Sequence, residues 1–168
     1  IRMAVYTKFN TDGDTLWQRL FVDTAERNTG DWPQDIIPEP NGGFSVAAIT
    51  ASKSKTYSAN NDYWWADSAY VTLISYDSTC NITRRKSFFI GGEKVPVQIK
   101  FLKKQPDNGY LVGGVNRFHG PAPNMASYYL MKVDSLWNFQ WQKTFGKAYN
   151  DATARLAVTD FKNGQAHF

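Results

Sequence analysis

The chain has 168 residues, of which 42% are hydrophobic, 15% aromatic and 20% charged; this is one folded domain's worth of chain and excludes a disordered tract. No window holds eighteen consecutive apolar residues, so no helix spans a membrane, and the single cysteine, Cys80, excludes an internal disulfide and a cysteine metal cluster. The net charge of +4 is modest, and its densest stretches, Arg84-Arg85-Lys86 and Lys100, Lys103 and Lys104, read as solvated strand faces rather than a nucleic-acid footprint.

Along the chain, the first turn signal lies in FNTDGDTLWQRLF, Phe9 to Phe21, where Asn and Asp cluster between apolar runs. These residues bond their own backbone and tolerate positive φ. Asn10 to Asp14 also spaces oxygen ligands as a calcium loop does, but the twelfth position, where such a loop needs Glu, is Phe21, so a hairpin turn is the better reading. Asp31-Trp32 reads as a loop aromatic. Pro40 to Ala48, PNGGFSVAA, is a turn running into a strand. Ser52 to Asp67, SKSKTYSANNDYWWAD, reads as an inserted loop. Tyr70 to Tyr76 is then a strand, Asp77 to Asn81 a turn and Ile82 to Phe89 a second strand, which Gly91-Gly92 ends. Val97 to Leu102, a turn at Pro106 to Gly109, and Tyr110 to Val115 complete four strands. A second insertion follows at Asn116 to Ser127. Strands are expected again at Tyr129 to Val133, Phe139 to Phe145, Arg155 to Thr159 and from Gln165. No stretch carries a helical period.

Two markers repeat. FNTDGDTLWQRLF aligns without a gap on YDSTCNITRRKSF, Tyr76 to Phe88, and on VDSLWNFQWQKTF, Val133 to Phe145. PNGGFSVAA aligns on PDNGYLVGG from Pro106 and on FKNGQAHF from Phe161, with Gly43, Gly109 and Gly164 equivalent. The first marker advances by 67 and 57 residues and the second by 66 and 55, so the two move together. The expectation is an all-β fold, a β-propeller represented by about three four-stranded antiparallel blades, at residues 1–69, 70–128 and a truncated 129–168. Stacking neighbours would bury the apolar faces that one blade leaves open, and small residues such as Ala47, Ala48, Gly113 and Gly114 suit a crowded strand near the axis. Three blades are too few to close a ring, so the remaining blades come from the parent chain or from further copies. The ends at Ile1 and Phe168 are read as cuts in a longer polypeptide, which favours the parent chain. A β-sandwich with accidental internal similarity is the alternative.

YYLMKVDSLWNFQWQKTFG followed by the NGYLVGG type of motif resembles repeats of large secreted Bacteroidota proteins. The unit there reads roughly Y-L-I-K-x-D-x-x-G-N-x-x-W-x-K-T-F-G, then D-G-G-Y-L-V-x-G. The resemblance covers nearly the whole chain and is strongest at Tyr129 to Gly146 and Pro106 to Gly114. Two positions depart from it: Trp137 stands where the family has Gly, and Arg84 where it has Trp. The resemblance implies a β-propeller, adhesive companion domains, type IX secretion, and a secreted or outer-cell-surface location. It implies no single activity. Exported proteins of that origin carry O-glycans at Asp-(Ser/Thr)-apolar or Asp-(Ser/Thr)-Thr motifs, which nominates Thr15, Thr24, Ser68, Ser78 and Ser135; Asp-Ser is also ordinary turn chemistry. Asn81-Ile82-Thr83 matches an N-glycosylation acceptor, relevant only in a eukaryotic source.

No residue is nominated as catalytic, as a metal ligand or for a cofactor. His119 and His167, the two histidines, have no motif around them, and no spacing selects a carboxylate pair from Asp62, Asp67 and Glu93. The candidate ligand-binding residues are loop aromatics: Trp32; Tyr57, Tyr63, Trp64 and Trp65 in the first insertion; Phe118 and His119 in the second, beside Arg117 and Asn124. Aromatics beside Asn and Asp contact sugar rings or a protein partner by stacking and hydrogen bonding. The competing reading is that the Trp pair caps a blade edge. The expected function is a non-enzymatic binding or structural module of an exported surface protein, engaging glycan or protein, with no nucleic acid and no membrane span. Alternatives are a carbohydrate-active or peptidase-associated enzyme whose site lies outside this segment, and a structural subunit of an envelope secretion or adhesion complex.

Overall fold

A computed structural model of the chain describes residues 3–22, 31–51, 69–90, 97–118, 125–149, 160–162 and 165–167. All regular structure in them is β-strand: β1 (Met3–Phe9), β2 (Thr15–Val22), β3 (Asp31–Pro38), β4 (Phe44–Ala51), β5 (Ala69–Tyr76), β6 (Ile82–Phe89), β7 (Val97–Lys104), β8 (Tyr110–Phe118), β9 (Met125–Val133), β10 (Phe139–Tyr149), β11 (Asp160–Lys162) and β12 (Gln165–His167). Every pairing is antiparallel. There are two four-stranded sheets, β3-β4-β5-β6 and β7-β8-β9-β10, and two two-stranded ones, β1-β2 before them in the chain and β11-β12 after.

The strands fall where alternation and turn chemistry place them, with ends longer by up to a few residues. Two expectations need correction. Trp32 is not in a loop: it lies in β3, opposite Ile49. Pro33 next to it suggests a break, but β3 is an edge strand with a bulge between Pro33 and Asp35, where a proline costs no ladder hydrogen bond. Phe118 likewise ends β8, paired with Met125, so both ends of the second insertion, Asn116 to Phe118 and Met125 to Ser127, extend the β8–β9 pairing. Arg155 to Thr159 lies outside the described residues.

Sheets and sequence repeats run out of phase. The repeat restarts at 69/70 and 128/129, inside β5 and β9, whereas hydrogen bonding breaks between β2 and β3, between β6 and β7, and between β10 and β11. Each full sheet therefore takes a first hairpin carrying the Gly motif and then a hairpin carrying the Asx motif.

All five described hairpin turns share one geometry. The first turn residue donates its N–H to the carbonyl four residues on and accepts from the N–H three residues on: Asn10/Asp14, Glu39/Gly43, Asp77/Asn81, Gln105/Gly109 and Asp134/Asn138. The fourth residue has positive φ, as a type I turn with a following bulge requires: Gly13, Gly42, Cys80, Asn108 and Trp137. The three Asx-motif turns add a side-chain anchor. One oxygen of Asn10, Asp77 or Asp134 accepts two backbone N–H bonds, from residues two and four further on, at 2.7–3.0 Å. In the Gly-motif turns Asn41 and Asp107 accept from Gly43 and Gly109 instead. Glycine is required at these last two positions because a Cβ would strike the Tyr76 or Val133 carbonyl of the neighbouring strand.

The central strands β4 and β5 of the sheet β3–β6 are buried on both faces. One face sends Ala47, Ile49, Val71, Leu73 and Phe88 into a core with Ile99, Leu102, Tyr110, Val112, Met131 and Val133 of the sheet β7–β10. The other packs Phe44, Val46, Ala48, Ile74 and Tyr76 against Tyr6 and Trp17 of the β1–β2 hairpin. An antiparallel sheet that keeps one face wet would alternate apolar and polar; β5 instead buries Val71, Thr72, Leu73, Ile74 and Tyr76, and pairs Thr72 with Thr50 and Ser87 through their hydroxyls at 2.6 and 2.8 Å.

Candidate binding face

The anchored turns of both sheets lie at one end. Glu39 of the β3–β4 turn reaches Lys104 and Tyr110 beside the β7–β8 turn, and Arg84 beside the β5–β6 turn reaches the β9–β10 turn. The opposite end is where β4 stops at Ala51, β5 starts at Ala69, β8 stops at Phe118 and β9 starts at Met125. Segments 52–68 and 119–124 therefore join their strands at the same end of neighbouring sheets. Tyr57, Tyr63, Trp64, Trp65 and His119 belong to those segments and lie outside the described residues, as do Thr24 and Ser68. Trp32 and Phe118 enter β3 and β8 at this same end.

Near this end, Ser127 and Tyr129 stand on alternate positions of β9, facing the seam between the two sheets. Both are buried, and neither hydroxyl has a hydrogen-bond partner among the described residues. Tyr129 lies over Gly114, where a Cβ would meet its ring and hydroxyl. Burial drives its phenol far above the ordinary range, so it stays a neutral donor. A buried hydroxyl without a partner costs free energy, and water or a ligand group meets that need.

At the turn end the seam is polar and closed. Glu39, with its side chain 9% exposed, accepts from Lys104 Nζ at 2.6 Å, from Tyr110 Oη at 2.6 Å and from Ser45 Oγ at 2.7 Å. Burial pushes its carboxyl up, but the three donors outweigh that and hold it below its ordinary value of 4.5. The bond to Glu39 raises the Lys104 ammonium above 10.5, against burial; burial and then Glu39 raise the Tyr110 phenol. Asp35 adds a second tie, its Oδ2 accepting the Leu102 N–H at 2.6 Å from the facing edge strand. These groups bond one another across the seam, so this end works as a clamp between sheets. Sequence reading took Lys104 for a solvated strand face and passed over Glu39 and Asp35, because their partners across the seam lie 65 to 71 residues away.

Arg84 and Trp137, the two departures from the repeat pattern, meet in the same seam. The Arg84 guanidinium sits 5.1 Å from the Trp137 ring centroid and donates to the Ser135 carbonyl at 3.1 Å. Trp137 is 1% exposed despite its turn position and meets Tyr110 edge-on at 6.1 Å. Of the glycosylation candidates, Thr15 opens β2, and Ser78 and Ser135 lie in Asx-motif turns; all three are exposed. Asp77, beside Ser78, is held at about 2 by hydrogen bonds from the Asn81 backbone and the Thr79 hydroxyl. Among the described residues no cluster of His, Cys, Asp and Glu could hold a metal ion, and no helix is long and apolar enough to cross a membrane. No family model, curated protein or solved structure matches the chain.

Proposed function

We propose that the chain is part of a β-propeller in an exported bacterial surface protein, and that it serves as a non-enzymatic scaffold presenting aromatic loops to a glycan or protein partner. The observation that carries this reading is the separation of the two ends. Tight turns and the polar clamp occupy one, while the aromatic-bearing segments 52–68 and 119–124 leave the sheets at the other. Binding residues sit on loops held by a rigid scaffold. Stacking with both faces of a sheet covered supports a propeller over a sandwich. The described carboxylates Glu39, Asp35, Asp77, Asp107 and Asp134 all hold backbone or neighbouring sheets, which supports a scaffold role. The resemblance to Bacteroidota repeats supports the location, and the exposed Ser78 and Ser135 are open to the proposed O-glycosylation.

Screening the native chain and the Trp64→Ala/Trp65→Ala variant on a glycan array, with a surface-protein pull-down beside it, tests the proposal. It predicts binding by the native chain that the double variant loses while its circular dichroism is unchanged. Equal binding by both would remove this loop from the function.

A further inference from the structure

The first strand of each four-stranded sheet is an edge. β3 and β7 pair on one side only, with β4 and β8, and the two lie against each other across the seam. They are built alike. Gln34 stands unpaired between Pro33 and Asp35, opposite Ala48 and Ala47. Lys100 stands unpaired between Ile99 and Phe101, opposite the equivalent Gly114 and Gly113. Register then makes Phe101 the equivalent of Asp35, and Leu102, opposite Val112, the equivalent of Ile36, opposite Val46.

An edge strand offers its outward N–H and C=O groups to any strand that approaches, and prolines, bulges and charges blunt that offer. β3 carries Pro33 and Pro38, which have no N–H to give. β7, VQIKFLKK, has no proline. Its Leu102 N–H is taken from the neighbouring sheet instead: Asp35 Oδ2 accepts it at 2.6 Å. Asp35 Oδ1 accepts the N–H of Ile36, the equivalent amide of β3, at 2.9 Å. One carboxylate therefore occupies the same amide on both edges. The repeat does not supply this group, because Phe101, at the Asp35 position of the second sheet, is an apolar ring that accepts nothing.

We propose that Asp35 closes the β3 and β7 edges to strand addition, and that the strands it keeps off are those of other copies of this chain. It does so by holding the two equivalent edge amides at once, one on each oxygen. Its bond to Leu102 takes the place that a fifth strand would fill on the β7–β10 sheet.

Hydrogen exchange of single amides, followed by NMR, tests it with light scattering beside it. In the native chain the Leu102 and Ile36 amides should both be protected, although both lie on edge strands. Asp35→Ala should speed both by about 10- to 100-fold, the loss of one hydrogen bond to a charged group at each. It should also make the chain associate as its concentration rises. Asp35→Asn keeps one acceptor oxygen, so it should hold one of the two amides and release the other. Unchanged protection along the central strand β8 shows that a variant is folded. A Leu102 amide that exchanges as fast in the native chain as in Asp35→Ala overturns the proposal, and so does a folded Asp35→Ala chain that associates no more than the native one. If Asp35→Ala does not fold, Asp35→Asn decides alone: release of neither amide overturns the proposal.

Discussion

The two faces of the sheet β3–β6 make the same kind of seam with different chemistry. Against β1–β2 the seam is aromatic: Phe44 stacks on Tyr76 at 4.7 Å, and Tyr6 and Trp17 cover Phe44 at 5.4 and 6.2 Å. Against β7–β10, Leu73 and Arg84 take the places of Tyr6 and Trp17, and Tyr110 and Val133 those of Phe44 and Tyr76. The area lost with the Trp is regained from the turn, where Trp137 fills the place that Gly13 and Cys80 hold elsewhere and supplies the ring on which Arg84 lies. What the repeat preserves is therefore the volume and contact of a slot, not the residue at a position. The second seam also carries the Glu39 clamp, whereas Asn10 and Arg19 in the first seam belong to an exposed hairpin.

The sharpest way to break this comparison is to empty the second seam. Trp137→Ala should cost about 3–5 kcal/mol, as truncating a buried large aromatic does, read as a lower urea midpoint at constant slope. A cost near zero would mean that the Trp137 ring does not fill the seam. Next comes the clamp. Glu39→Gln should cost about 1–3 kcal/mol, because Lys104 and Tyr110 lose a charged acceptor, and Lys104→Met should add little on top of it in a double-mutant cycle.

The clamp also fixes a pH profile. Glu39 has a lowered folded value, so its contribution is present above 4.5 and is lost as pH falls through the folded value; Lys104 has a raised one, so its contribution is present below 10.5 and is lost as pH rises through it. Stability should decline at both ends of that window in the native chain. In Glu39→Gln the acid arm should flatten, which chemical denaturation across pH measures. A smaller effect is due at Arg84, which is exposed: Arg84→Ala should cost about 0.5–1 kcal/mol, as an exposed cation–π contact does, and Arg84→Trp should leave the urea midpoint at or above the native value, because Trp17 fills the equivalent slot of the first seam. Smallest of all, Asp77 should titrate near 2 by carboxyl NMR, with its protection of the turn lost as pH falls from 3.8 through that value; an ordinary value would remove the Asx anchor.

The hairpins are legible in sequence because their chemistry is local: Asn10, Asp77 and Asp134 each bond backbone within four residues. The glycine marker is legible too, although its cause, the approach of the Tyr76 and Val133 carbonyls, comes from another strand. The phase of the sheets is not. A repeat shows where a pattern restarts, and only hydrogen bonding shows that β6 and β7 part company. Arg84 and Trp137 stand out one at a time as departures from the repeat; their pairing is a contact across 53 residues that no local rule joins. Lys104 reads as a solvated strand face, and Glu39 and Asp35 carry no motif that joins them to it until two sheets bring them together. Of the candidate binding residues, only Trp32 and Phe118 fall on described strands; Tyr57, Tyr63, Trp64 and Trp65 stand out by composition alone, in the segment between the ends of β4 and β5.

Methyl NOEs around the sheet β3–β6 test most directly the claim that this unit is covered on both sides. Stacked sheets predict cross-peaks from Ile49 and Val71 to Val112 and Met131 on one face, and from Ile74 to the rings of Tyr6 and Trp17 on the other. Cross-peaks on one face with Ile74 open to solvent would describe a two-layer sandwich and contradict the account.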